Sequence, residues 1–189
     1  MATPTKPRSG SLQFWPRVRA KRMQARIRQW ANSSSNEVIG FAGYKAGMTH
    51  LSIIDKEKGM TNGERISVPA TINECPSIKP ISVRVYKQNY RGLQVIDEIP
   101  AKKLDKELSR RLILPKKEKT VEDPKVFDEL RLLVYTQPKL TGSGKKKPEV
   151  FELCVGGTKE EKFQYVEDTI GKEIKVTDVF KPGQELDFH

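Results

Sequence analysis

Glycine followed by lysine is the combination from which a nucleotide-phosphate cradle is made, and Gly142-Ser143-Gly144-Lys145-Lys146-Lys147 presents it. A working cradle also needs glycine at 139 and Ser or Thr at 146, where Lys139 and Lys146 stand. It needs a helix directly after the loop, whereas Pro148 here precedes a β-rich run. The segment reads instead as a flexible basic loop that meets phosphates. Other chemistry is scattered. His50 and His189 are the only histidines, too few to assemble a zinc site. Cys75 and Cys154 stand far apart and read as two free thiols of a reducing compartment. The neighbouring carboxylates Asp97-Glu98 and Glu160-Glu161 point in different directions on a strand or helix and read as solvated charges. No nucleophile, base and orienting group fall at a recognisable spacing, so neither enzymatic activity nor a cofactor is expected.

Charge is the informative chemistry. The 189 residues carry 35 Lys and Arg against 24 Asp and Glu, a net charge of +11. Eight cations, Lys6, Arg8, Arg17, Arg19, Lys21, Arg22, Arg26 and Arg28, fall before the first carboxylate, Glu37. The remaining 153 residues hold 27 cations and 24 acids, a net of only +3. The basicity is thus a separate arm, residues 1–36, on a nearly charge-balanced body, residues 37–189.

Arginine forks grip phosphates bidentately, and Phe14, Trp15 and Trp30 offer faces to unstacked bases. Met23, Ile27 and Trp30 fall at i, i+4 and i+7, and Arg19, Arg22 and Arg26 at i, i+3 and i+7, which predicts a basic amphipathic helix within residues 17–30. That pattern suits RNA, DNA or a membrane surface, so a regulatory protein binding DNA or a membrane surface is the alternative reading. The arm has too few apolar groups for a core, and ordering a backbone costs ~1–2 kcal/mol per residue, so it is expected to be disordered until a partner arrives. Its acid-free start mimics a mitochondrial transit peptide, but Pro4, Pro7 and Pro16 interrupt any helix there. No apolar run approaches the roughly eighteen residues that span a bilayer, and residues 1–30 lack the apolar segment of a secretory signal.

The body must position whatever this arm grips. Three glycines in Gly40–His50 predict tight turns, Leu51–Asp55 is β-like, and Asn62-Gly63 followed by alternating Ile66, Val68, Ala70 and Ile72 predicts a hairpin. Residues 81–86, 93–96, 132–135 and 150–155 predict further strands. Leu104, Leu108 and Leu112 predict a surface helix over 101–113, and Asp123-Pro124 predicts an N-cap for a helix burying Val126, Phe127 and Leu130. Thr158 with Glu161 forms a capping box for a helix that buries Phe163, Val166 and Ile170 and stops at Gly171. Ile174–Phe180 and Leu186–Phe188 read as strand around a Pro-Gly turn. The fold class expected is mixed β with inserted helices, a partial small β-barrel carrying a disordered basic N-terminal arm.

Residues 10–20 (GSLQFWPRVRA) and 40–50 (GFAGYKAGMTH) resemble the start of the universal large-subunit ribosomal protein L-three family in its archaeal and eukaryotic form. Residues 132–138 (LLVYTQP), 145–150 (KKKPEV), 155–157 (VGG) and 171–174 (GKEI) extend the resemblance over nearly the whole chain. The resemblance implies a translation-protein type β-barrel, no catalysis, and a structural place in the cytoplasmic ribosome, with large-subunit rRNA near its 3′ end and neighbouring large-subunit proteins as partners. It implies rRNA contacts for Arg17, Arg19, Lys21 and Arg22 in the tail and for Lys45 and His50 in the body. With Lys6, Arg8, Trp15, Arg26 and Arg28 of the arm, these are the expected rRNA-binding residues. Family members continue past the position of His189 and complete the barrel, so the chain resembles the N-terminal part. Either a second polypeptide supplies the remainder or the chain is a fragment of a longer protein.

Overall fold

The structure is a computed structural model that describes Pro7 and residues 10–16, 18–25, 27, 29–31, 33, 35–114 and 127–188. Seven strands follow one another: β1 (Val38–Ile39), β2 (Tyr44–Ile54), β3 (Arg65–Glu74), β4 (Lys79–Asn89), β5 (Gly92–Pro100), β6 (Glu129–Tyr135) and β7 (Val150–Val155). Helices α1 (Lys159–Thr169) and α2 (Val176–Val179) close the order. Five strands form one antiparallel sheet in the order β1-β7-β6-β4-β5, while β2 and β3 pair only with each other.

Period-two alternation explains the sheet. Val83 and Val85 of β4, Leu130, Leu132 and Val134 of β6, and Leu153 and Val155 of β7 are buried on one face against Val38, Ile99 and Val166 of α1. Each such side chain stabilises the fold by about 1.5–3 kcal/mol through apolar burial. The register of β4 against β6 shifts between Pro80 and Ser82, and Ile81 thereby joins Leu133, Tyr135 and Leu108 in a second cluster.

The hairpin forms where Asn62-Gly63 predicts it. Gly63 sits at φ +84°, where a Cβ is disfavoured, and its amide donates 2.9 Å to the Asp55 carbonyl. Ile66, Val68 and Ala70 are half-buried, but the phase breaks where the β2–β3 register shifts between Lys45 and Gly47, and Ile72 ends 51 % exposed. The capping box also forms as expected, with the Thr158 amide donating 2.9 Å to Glu161 Oε2.

Several expectations are corrected. Described residues within 17–30 contain no helix, because Gln24 and Trp30 are drawn to different parts of the body rather than to one helical stripe. The helix over 101–113 shrinks to a 3₁₀ turn, Lys106–Arg110, in which Leu108 alone is buried. Leu130 lies in β6, held by its antiparallel partner Val85; Asp123-Pro124 and Val126 lie outside the described residues. Residues 174–188 form α2 and one bridge, Ile174 with Ile78, and Leu186–Phe188 is not a strand. The described strands make an open sheet and a separate hairpin, without closing a barrel. Among the described residues no helix is long and apolar enough to cross a membrane.

Candidate nucleic-acid interface

Of the residues expected to bind, Lys6, Arg8, Arg17, Arg26 and Arg28 lie outside the described residues. Arg19, Lys21 and Arg22 are exposed in an irregular stretch, and Trp15, following the 3₁₀ turn Leu12–Phe14, is 56 % exposed. Lys45 and His50 are exposed on β2 opposite Asn73 and Pro69. A strand rises ~3.3 Å per residue, so His50 stands roughly 16 Å beyond Lys45 toward the hairpin tip.

The arm expected to be shapeless without a partner is held on the body at three places. Gln24 Nε2 donates 3.1 Å to the Val150 carbonyl at the start of β7. Trp30 packs against the main core, its ring beside Gly40 and Leu153. The Ser33 carbonyl accepts the Gly157 amide at 3.0 Å. Composition could not reveal this, because part of the apolar surface that receives Trp30, Leu153 of β7, is more than a hundred residues away.

Near Gln24, three segments converge. Lys145 Nζ donates 3.2 Å to Met23 Sδ, lies 5.6 Å from the Tyr44 ring centroid and pairs with Glu149 at 2.5 Å. Tyr44 Oη and Thr136 Oγ1 are 2.6 Å apart, and the Gly142 amide donates 3.1 Å to Glu74 Oε2. Met23 of the arm and Tyr44 of β2 are therefore brought to the 141–149 loop; of the expected binding residues Arg22 and Lys45 adjoin them in sequence, and Lys45, alternating with Tyr44 along the strand, faces the other side of the hairpin. The loop is pinned rather than flexible: Pro148 is fully buried and the Glu149 amide donates 3.0 Å to Thr136 Oγ1. Lys146 and Lys147 remain exposed, and among the described residues no ion pair holds them. In sequence the loop is plainly basic, yet neither lysine stands among the expected binding residues; Glu149, four residues after Lys145, is the signal that one lysine is neutralised and the others presented.

Elsewhere charges satisfy one another. On the sheet face opposite the main core, Arg84 bonds Glu98 at 3.1 Å and also Glu152, Tyr86 Oη donates 2.9 Å to Glu152, and Arg131 pairs with Glu129 at 2.7 Å. Burial, then Glu152, pushes the Tyr86 hydroxyl above its ordinary pKa, so it stays a donor. Such a network rigidifies a surface and leaves no activated nucleophile. Among the described residues no three His, Cys, Asp or Glu side chains are placed to hold a metal ion.

The family profile described as Ribosomal protein L3 matches residues 1–122. Large ribosomal subunit protein uL3 of Archaeoglobus fulgidus is 47% identical over 189 residues, covering 96% of this chain and 57% of that protein. The protein of that name from Methanocaldococcus jannaschii is 44% identical over 191 residues with the same coverage. That from Picrophilus torridus is 40% identical over 191 residues, covering 99% of this chain and 58% of its own. The chain thus spans about 57% of the length of the curated relatives it matches. Those relatives carry their remaining length in the same polypeptide, so the expectation of a completing second polypeptide finds no support in them.

Proposed function

Because the chain belongs to the ribosomal protein L3 family, we propose that it is a structural constituent of the large ribosomal subunit, of archaeal type, which binds large-subunit rRNA near its 3′ end and turns over no substrate. Residues 1–36 are the rRNA-binding arm, and residues 37–189 the body that anchors it. Cations of the arm and of β2, Lys6, Arg8, Arg17, Arg19, Lys21, Arg22, Arg26, Arg28 and Lys45, meet phosphates; Trp15 and His50 lie against bases or sugars. Neighbouring large-subunit proteins and the cytoplasmic ribosome are its setting. The body is the incomplete part of a translation-protein type barrel, a reading supported by the open sheet edges β1 and β5 and by the exposed Leu51, Ile53 and Ile72 of the hairpin.

One observation carries the proposal: eight cations occur in 36 residues without a single acid, while the body's charges nearly cancel. Each phosphate neutralised on single-stranded or duplex nucleic acid adds about 0.7–0.9 to the slope of log K against log salt. If half the arm cations meet phosphates, the full chain binding a transcript of the 3′ portion of large-subunit rRNA should show a slope of about −3 to −4 from the arm. Removing residues 1–20 takes away Lys6, Arg8, Arg17 and Arg19 and spares Gln24, Trp30 and Ser33, on which the body packs. A flatter slope is expected; an unchanged slope refutes the assignment of the arm.

A further inference from the structure

We propose that Asn62, at the tip of the β2–β3 hairpin, is a site of spontaneous conversion to isoaspartate, and that hydrogen bonds centred on Asp55 set the rate of that conversion. The proposal stands on residues of the hairpin alone and is independent of the rRNA reading above.

An asparagine amide is thermolabile, most of all where the next residue leaves its own nitrogen unshielded. The Gly63 nitrogen, once it has lost its proton, attacks Asn62 Cγ. The new N–Cγ bond closes a succinimide ring, the Cγ–Nδ2 bond breaks, and Nδ2 leaves as ammonia. Water then opens the ring at either carbonyl, leaving aspartate or, where the backbone is rerouted through the side chain, isoaspartate. Nothing is oxidised or reduced, and solvent water is the co-reactant. The chain has five asparagines, Asn32, Asn36, Asn62, Asn73 and Asn89, and only Asn62 precedes glycine. The others precede Ser, Glu, Glu and Tyr, whose side chains shield the following amide.

The tip is open to this reaction. Thr61, Asn62 and Gly63 are exposed, and a Cβ at Gly63 would meet nothing within 4 Å. What restrains it is the set of hydrogen bonds at Asp55. The Asp55 carbonyl accepts the Gly63 amide at 2.9 Å, so the attacking nitrogen keeps its proton in a hydrogen bond. The Asp55 amide donates 3.0 Å to the Glu64 carbonyl, and the Asp55 carboxylate accepts Thr61 Oγ1 at 2.5 Å and the Glu57 amide at 2.9 Å, fastening the chain on both sides of Asn62. The Thr61 bond foremost, then the Glu57 amide, hold the Asp55 carboxyl below its ordinary value, so it stays ionised from neutral to alkaline pH and the restraint persists there. An exposed loop tip is the part of a fold that opens most readily, and each opening frees the Gly63 nitrogen. Isoaspartate lengthens the backbone between 62 and 63 and adds a carboxylate near Glu64 in the chain, which loosens the Asp55 bonds and opens the hairpin from its tip.

The test incubates the full chain at neutral and mildly alkaline pH, folded and in urea, and resolves the peptide containing residue 62 by mass and by chromatographic separation of aspartate from isoaspartate. In the folded chain isoaspartate should accumulate at 62 in proportion to hydroxide concentration, more slowly than in urea, while Asn73 and Asn89 stay intact. Asp55→Ala and Thr61→Val each remove part of the restraint and should speed conversion by about two- to tenfold, the opening that loss of a net hydrogen bond permits. Thr61→Val alters a single side-chain bond and keeps the β-branch, so it reads the restraint even if Asp55→Ala melts the hairpin. Asn62→Gln, whose longer side chain closes a ring far more slowly, should give no product. A folded chain that stays intact at 62 while the urea-treated chain has converted, or conversion at Asn89 as fast as at Asn62, overturns the site. An unchanged rate in folded Thr61→Val overturns the role given to Asp55.

Discussion

The Gly157 amide donates a 3.0 Å hydrogen bond to the carbonyl of Ser33, tying the end of the acid-free arm to the loop that opens α1. Next to it the Gly156 amide donates 2.9 Å to the Glu37 carbonyl. Two adjacent glycines thus receive the arm where it enters β1.

A side chain at Gly156 has nowhere to go, since a Cβ there would collide with the Ser35 carbonyl and crowd Ser33. Backbone cannot rotate aside as a flexible side chain would. Gly156→Ala should therefore destabilise the protein by about 1–3 kcal/mol, the usual range for overpacking. A lowered urea midpoint, with earlier proteolytic cleavage near residues 33–36, is the expected result.

Trp30 contributes apolar bulk, yet its buried indole Nε1 has no hydrogen-bond partner among the described residues. Removing the ring and removing the unsatisfied donor should thus have different consequences. Trp30→Ala should cost about 3 kcal/mol through the void it leaves. Trp30→Phe keeps most of the ring and deletes a donor that is penalised when buried unpaired, so it should stay within about 1 kcal/mol of wild type. Denaturant titrations of both variants distinguish these outcomes.

Asp105 accepts Tyr135 Oη at 2.5 Å and Lys79 at 2.9 Å; those bonds, Tyr135 foremost, hold its carboxyl below the ordinary 3.8. Glu173, bonded by Ser77 and then Lys79, lies below its ordinary 4.5. A depressed carboxylate binds fewer protons folded than unfolded, so its contribution is present above its ordinary value and is lost as the pH falls through the depressed one. Lys79, raised above 10.5 chiefly by the Asp105 bond, contributes in the opposite sense, losing its effect as pH rises through the raised value. Lys79→Met should flatten the stability profile below about pH 4.5, by about 1 kcal/mol or less because these groups are partly exposed. Urea midpoints between acid and neutral pH measure it.

Cys154 is buried in β7, and burial first, then Glu129, pushes its thiol up to about 11. The reactive species is the thiolate, so at pH 8 roughly a thousandth of Cys154 is available. Cys75, half-buried and also raised by burial, has the better access. Iodoacetamide should label Cys75 in the native protein, slowly, and Cys154 only on unfolding, as read by peptide mass.

Sequence alone determined the features carried by near neighbours in the chain. Asn62-Gly63 and the alternation after it specify a hairpin because both signals act within a few residues, and Thr158 with Glu161 starts α1 for the same reason. The absence of acids before Glu37 is a fact of composition that no fold can change. Tertiary structure decided the rest. Leu130 joins a strand because Val85 pairs with it, and Trp30 leaves a tempting helical stripe because the body offers it apolar surface beside Gly40 and Leu153. Lys145 is withdrawn from its lysine run by Glu149 and Tyr44, and only that withdrawal shows which lysines face outward and what they stand beside. Pairing, burial and convergence join residues far apart in sequence, and their energies arise only when the distant surfaces meet.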